Sequence, residues 1–139
     1  MKWAYFYNME QLSVITISFN NLKELQQTCD SVDHQTFPPF EHYIIDGSSN
    51  NEISEWLNKT PQPLYRKWIC ERDKGISDAF NKGIKLAAGS IIHLLNSADI
   101  YYSNSVIETV ANYFNQNAQT QWISGNIYMK RGGMWVHVG

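Results

Sequence analysis

Apolar residues in this chain fall into short blocks separated by polar turns, and the spacing inside each block changes in a regular way. Leu12-Ser-Val-Ile-Thr-Ile-Ser18 is a β-branched run and predicts a buried strand. After it, Leu22, Leu25, Cys29 and Val32 recur at helical spacing, with Asn20 or Asn21 as the cap and Thr36-Phe-Pro-Pro39 as the stop. His42 to Ile45 predicts a second strand. Ser49-Asn-Asn-Glu52 has the form of a capping box ahead of Ile53, Trp56 and Leu57. Pro61 and Pro63 break the chain before a third strand, from about Tyr65 to Cys70.

The cleanest amphipathic pattern follows. Ile76, Ala79, Phe80, Gly83, Ile84 and Ala87 form one stripe in a helix from about Gly75 to Ala88, with Gly89 as its C-cap. Ser90 to Leu95 predicts a fourth strand. Ser105 and Glu108 form a second capping box before a helix with Val106, Ile107, Val110 and Phe114 inward. Gln121-Trp-Ile-Ser124 predicts a fifth strand, and Gly125, Gly132 and Gly133 mark turns or a hairpin in the tail. Strands alternating with helices imply an α/β fold: a mostly parallel, open sheet with helices on both faces, in a single domain over residues 1–139.

Composition narrows the functional classes without choosing one. A net charge of −2, with scattered Lys and Arg, gives no basic excess of the kind that nucleic-acid binding needs. No apolar run is long enough to cross a bilayer. Cys29 and Cys70 are far apart and lack metal spacing, so they read as reduced thiols of a cytoplasmic protein. The aromatic start (Trp3, Tyr5, Phe6, Tyr7) either packs on the sheet edge or touches a membrane surface. The chain has no G-x-G-x-x-G after the first strand, no phosphate loop and no G-x-S-x-G elbow.

The candidate chemistry lies where strands end. Phe19-Asn20, Asp46-Gly-Ser48, the residues around Asp73 and Asn96-Ser-Ala-Asp99 each follow a predicted strand, the end at which open α/β sheets bind ligands. Asp46 and Asp73 are expected to converge on one crevice with Asp99 beside them. Carboxylates suit Mg²⁺ or Mn²⁺, which neutralises a diphosphate. Phe19 offers a flat face for a base, although a core role is equally open from the residues alone. Asp46 with its serines also makes a plain turn, Asp78 and Lys82 a surface pair at i, i+4, and Asn81 a solvated amide. His93, inside a strand, reads as a core histidine.

These strand ends carry a resemblance. Val14-Ile-Thr-Ile-Ser-Phe-Asn20, Ile45-Asp-Gly-Ser-Ser49, Glu71-Arg-Asp-Lys-Gly-Ile-Ser-Asp-Ala-Phe-Asn-Lys-Gly83 and Leu95-Asn-Ser-Ala-Asp99 resemble the successive motifs of glycosyltransferase family 2, over about residues 12 to 110. The resemblance implies the GT-A fold and an inverting transfer of a sugar from a nucleotide-sugar donor, a UDP-sugar, to a saccharide or lipid-linked saccharide acceptor. It also implies work in cell-surface polysaccharide synthesis, in the cytoplasm or at the inner face of the membrane through peripheral association. Phe19 and Asn20 then belong to the donor site, with Phe19 on the base. Asp46 bonds base or ribose, Asp73 and Asn81 line the pocket, and Gly75 makes the close-approach turn. Asp99 is the last carboxylate of a D-x-D-like metal motif. Two departures stand out: Ala98 occupies a place that is often acidic, and no residue matches the general base, which the resemblance places beyond Gly139. A truncated, non-catalytic nucleotide-sugar-binding module is the alternative.

Overall fold

A computed structural model of the protein describes residues 9–138, and the aromatic expectation for Trp3, Tyr5, Phe6 and Tyr7 lies outside them. Four strands, β1 (Leu12–Ser18), β2 (Glu41–Asp46), β3 (Arg66–Cys70) and β4 (Ile91–Leu94), form one sheet in the order β3-β2-β1-β4. Every pairing in it is parallel. The helices are α1 (Leu22–Asp33), α2 (Glu52–Lys59), α3 (Ile76–Leu86) and α4 (Val106–Gln116).

Alternation along the strands sends side chains to two layers. On one face, Leu12 and Val14 of β1 with Ile91 of β4 pack against Val32 of α1 and Ile107 and Ala111 of α4. Ile44 on the same face meets Leu25 and Cys29 of α1 and Ile53 and Leu57 of α2. On the other face, Ile15 and Ile45 meet Ala79 of α3. Fully burying each of these Leu, Ile and Val side chains contributes about 1.5–3 kcal/mol.

The α3 stripe behaves differently from its periodicity. Ile76 is 68% exposed and Ile84 is exposed as well, while Ala79 and Gly83 make the contact. Small residues at the interface bring helix and sheet close: a Cβ added to Gly83 would stand 2.3 Å from Ile15 Cγ2. Gly89 is not the helix cap, which is Ala87. It is instead a close-approach glycine, since a Cβ there would lie 2.4 Å from Ser13 Oγ and 2.6 Å from the Gln11 carbonyl.

Neither capping box forms. α2 begins at Glu52, so that residue is in the first helical position and not the third, and Ser49 is engaged with Asn20 instead. At α4 the spacing is right, yet Glu108 accepts from Thr36 Oγ1 and the Ser105 hydroxyl pairs with Ser103. The expected strand at Gln121–Ser124 is irregular chain with Trp122 79% exposed, because no sheet edge pairs with it. The final strands are the antiparallel hairpin β5 (Ile127–Arg131) and β6 (Met134–Val138). Gly132 and Gly133, both at positive φ, make its two-residue turn.

Candidate functional site

Strand order reverses beside β1: the chain moves outward through β2 and β3, then returns to place β4 on the other side. Ligands of open α/β sheets sit at such a switch point, outside the carboxyl ends. The crevice found there has a volume of about 510 Å³. Ile17, Ser18 and Phe19 line it from β1, Asn96 and Ser97 from the end of β4, and Asp73, Gly75 and Ile76 from the β3–α3 turn.

Phe19 is 62% exposed, so it is not a core residue; its ring forms part of the crevice wall. Asn20 adopts φ 52°, a region that asparagine tolerates. Its side chain is tied to the β2 loop: Nδ2 donates to Ser49 Oγ at 2.9 Å, and Oδ1 accepts from Ser49 N at 3.0 Å. Asn21 holds the opposite wall. Its Oδ1 accepts from Phe19 N, and its Nδ2 donates to Ser97 Oγ across to β4. This residue was expected only as a cap, and α1 has no side-chain cap bond.

Asp46 is buried at the end of β2 and is not among the residues lining the crevice. Ser18 Oγ donates to its Oδ1 at 3.1 Å and Ser48 N at 3.2 Å. Asp73 is its neighbour through Gly47, where an added Cβ would collide with Asp73 Oδ2 at 2.1 Å. Asp73 Oδ1 also accepts from Gly75 N at 2.9 Å. That bond fixes the turn in which Gly75 takes φ 110°, a conformation glycine adopts at little cost. Asn81 is exposed on α3 and does not line the crevice. Asp78 and Lys82 stand 3.8 Å apart, but Lys82 is drawn to Glu71 at 2.9 Å and to the Arg72 carbonyl at 2.9 Å. The Glu71 hydrogen bond raises the Lys82 ammonium above its ordinary value.

Asp99 is exposed at the rim, one turn beyond the lining residues Asn96 and Ser97. Asn96 Nδ2 donates to its Oδ2 at 3.2 Å. Among the described residues no group of three His, Cys, Asp or Glu is placed to hold a metal ion. The available donors are hard oxygens, one carboxylate beside one carboxamide. That set fits an ion of the Mg²⁺ type, which is commonly held by one or two carboxylates plus substrate phosphate.

The turn that carries Asp99 is gripped by polar residues on α1 and just past its end. Thr28 Oγ1 accepts from Ala98 N at 3.0 Å and donates to the Asp99 carbonyl at 2.9 Å. Ser31 Oγ accepts from Tyr101 N at 2.6 Å. Gln35 donates to the Ser103 carbonyl at 2.7 Å and accepts from Ile107 N at 3.0 Å. Thr28 and Ser31 stand at i and i+3 on α1, a polar stripe flanking the apolar one, and that period is the sequence signal that could have found them; Gln35 lies two residues past the end of the helix. Nearby, His93 Nδ1 meets Tyr101 Oη at 2.8 Å with the rings stacked, and burial lowers the imidazole pKa. Cys29 and Cys70 are free thiols.

Comparison with known proteins agrees with this geometry. The chain is 40% identical over 97 residues to an uncharacterised glycosyltransferase of Mycobacterium tuberculosis, covering 69% of this chain and 37% of that protein. It is 28% identical over 120 residues to a PGL/p-HBAD biosynthesis glycosyltransferase of Mycobacterium bovis, covering 85% of this chain and 47% of the relative. It thus spans less than half the length of either. Among solved structures, Staphylococcus aureus TarS 1–349 in complex with UDP-GlcNAc superposes with a TM-score of 0.65 at 22% identity, over 78% of this chain and 32% of that one. Mannosyltransferase PcManGT of Pyrobaculum calidifontis, in complex with GDP-Man and Mn²⁺, gives 0.63 at 20% identity, over 79% and 33%. These likenesses establish the GT-A fold. Residues 13–135 match the profile of Glycosyl transferase family 2. With the parallel sheet, the switch-point crevice and the motif residues at its strand ends, that match over most of the chain means that the protein belongs to glycosyl transferase family 2.

Proposed function

We propose that this chain is the donor-binding part of an inverting glycosyltransferase that uses a UDP-sugar in cell-surface polysaccharide or glycolipid synthesis. The observation that carries the reading is the switch-point crevice with the exposed ring of Phe19 in its wall. In this reading the uracil stacks on Phe19, and the buried Asp46, held by Ser18 and Ser48, bonds ribose or base. Asp73 and Gly75 shape the floor where α3 begins. Helix N-termini attract phosphate, which favours the diphosphate at this turn. Asp99, steadied by Asn96, is the ligand for Mg²⁺ or Mn²⁺. The ion, when bound, supplies Lewis-acid stabilisation of the departing diphosphate. The acceptor site and the base that deprotonates the acceptor hydroxyl are expected in the further length that the relatives carry.

Titration calorimetry with UDP, with and without Mn²⁺, tests the assignment. Stacking is worth about 1–3 kcal/mol per base. Phe19→Ala is therefore expected to weaken UDP binding about 5- to 150-fold, and Asp99→Asn to remove the increment due to Mn²⁺. Unchanged affinity in both variants would defeat the reading. A binding module without turnover is the second reading, favoured by Ala98 beside Asp99, where a second carboxylate is lacking. Release of free UDP from UDP-sugars in the presence of Mn²⁺ excludes it.

A further inference from the structure

Ala98 sits at φ 82°, in the left-handed region that a residue with a Cβ seldom occupies. Such a conformation persists only where the surroundings over-determine it. Here one side chain bonds the backbone on both flanks of Ala98. Thr28 is fully buried on α1, and its hydroxyl takes the Ala98 amide at 3.0 Å while donating to the carbonyl of Asp99 at 2.9 Å. A single hydroxyl therefore closes both sides of the strained residue. The same turn is pinned from within by Asp99 N donating to the Asn96 carbonyl at 3.1 Å. The neighbouring grips, Ser31 on α1 and Gln35 just past its end, reach only residues past Asp99.

We propose that Thr28 is the positioning residue of the metal-binding turn: by clamping Ala98 in its left-handed conformation it sets the direction in which the Asp99 carboxylate leaves the backbone. The inference rests on the assignment of Asp99 as metal ligand made above. Thr28 touches neither nucleotide nor ion in this arrangement; it acts through Ala98. A turn already held in this conformation spends no binding energy on ordering when the donor and its ion arrive. Glycine at position 98 would relieve the strain without help, so the need for Thr28 depends on the residue it clamps.

The test uses the 139-residue chain in five forms: wild type, Thr28→Val, Thr28→Ser, Thr28→Val combined with Ala98→Gly, and Ser31→Ala. Each is titrated with UDP in chelator and in Mn²⁺, and the amide exchange of Ala98 is followed by NMR. Valine keeps the volume but removes the hydroxyl. It is expected to reduce the Mn²⁺-dependent gain in UDP affinity about tenfold, to leave affinity in chelator unchanged and to speed exchange at Ala98 at least tenfold. Serine is expected to match wild type, and the glycine double variant to recover most of the gain. Ser31→Ala, which loses the neighbouring grip, should retain the full gain. Equal losses in Thr28→Val and Ser31→Ala would overturn the proposal in favour of general loop rigidity. Equal losses in the valine and serine variants would overturn it as well. A wild type with no Mn²⁺-dependent gain would refute the metal assignment itself; exchange at Ala98 then still judges the clamp, and unchanged exchange in Thr28→Val would refute that separately.

Discussion

Strand β2 has a buried carboxylate at each end, and the two are satisfied in opposite ways. At the amino end, Glu41 is 1% exposed and closes a complete knot. Ser13 Oγ donates to it at 2.7 Å, Ala88 N at 2.6 Å and Lys67 Nζ at 3.0 Å. At the carboxyl end, Asp46 is 3% exposed and takes its bonds from serine hydroxyls, the Ser48 amide and the Cys70 thiol, with no salt bridge to it among the described residues. A cation and a helix-end amide make Glu41 a fastener between β1, β2, β3 and the turn after α3. The hydrogen-bond donors around Asp46 are neutral groups. Under the proposed function, the character of the partners and not burial alone separates the donor-site acid from the fastener.

Removing Glu41 is the harshest way to break this contrast. Glu41→Ala leaves the buried Ser13 hydroxyl and the Ala88 amide without their acceptor. At about 1–3 kcal/mol for each unpaired group, the expected loss is roughly 3 kcal/mol of unfolding free energy in urea titration, with the whole sheet affected. A loss within about 0.5 kcal/mol would show that water replaces the carboxylate and that the knot is not a fastener.

Acid should find the amino half of the sheet first. His42 is fully buried between Thr16, at 2.9 Å from Nε2, and Arg66, whose Nε donates to Nδ1 at 3.4 Å. Burial and then the Arg66 guanidinium hold the imidazole well below its ordinary value. The unfolded chain takes up that proton at about pH 6.5 and the folded chain does not, so stability falls as the pH drops below 6.5. Each such proton contributes a slope of about 1.4 kcal/mol per pH unit, and His93, whose pKa is lowered by burial, adds a second. Burial would raise the Glu41 carboxyl, but the Ala88 amide, Ser13 and Lys67 carry it below its ordinary value of 4.5. Its contribution is therefore complete at neutral pH and is lost as pH falls below 4.5. Urea midpoints from pH 7.5 to 3.5 should show both phases. His42→Gln should flatten the upper phase, and a profile flat from 7.5 to 5 would contradict a neutral buried His42.

How far these features were legible depends on the scale of the signal. The four parallel strands follow from short apolar, β-branched runs and the four helices from period 3.6, because burial acts on every residue of an element. The strand-end residues were visible because polar groups interrupt the pattern at one recurrent place. This grip was not read, because Thr28, Ser31 and Gln35 look like ordinary solvated residues until the chain returns over them some 70 residues later. Asn21 was read as a cap for a related reason: its partner Ser97 lies 76 residues away. The strand at Gln121–Ser124 failed because a β-prone run needs an edge, and sequence does not announce which edges are free.

At the carboxyl end, Asp46→Asn tests the other half of the contrast. Asparagine keeps the shape and an acceptor oxygen for Ser18 and Ser48, so stability should change by less than about 1 kcal/mol. UDP affinity should nonetheless fall about tenfold, a cost of about 1.4 kcal/mol that falls on binding and spares folding. The reverse pattern, lost stability with intact binding, would make Asp46 a second fastener and move the donor contact elsewhere.

The gentlest comparison sets the sheet against the hairpin. Every residue of β5 and β6 is exposed, including Ile127, Met134 and Trp135, whereas the central strands are almost wholly buried. One contact between the hairpin and the rest of the described chain is Tyr128, whose ring stacks on Tyr102 with centroids 5.3 Å apart. Such a pair is worth about 0.5–1.5 kcal/mol beyond its buried area. Ending the chain at Thr120 should therefore lower the urea midpoint only slightly, by about 1 kcal/mol or less, and leave UDP binding at wild-type strength, since no hairpin residue lines the crevice. Tyr102→Ala in the full chain should reproduce most of the stability change. A shortened chain that unfolds would mean that the hairpin supports the sheet through more than that one stack, and would join the two regions into a single cooperative unit.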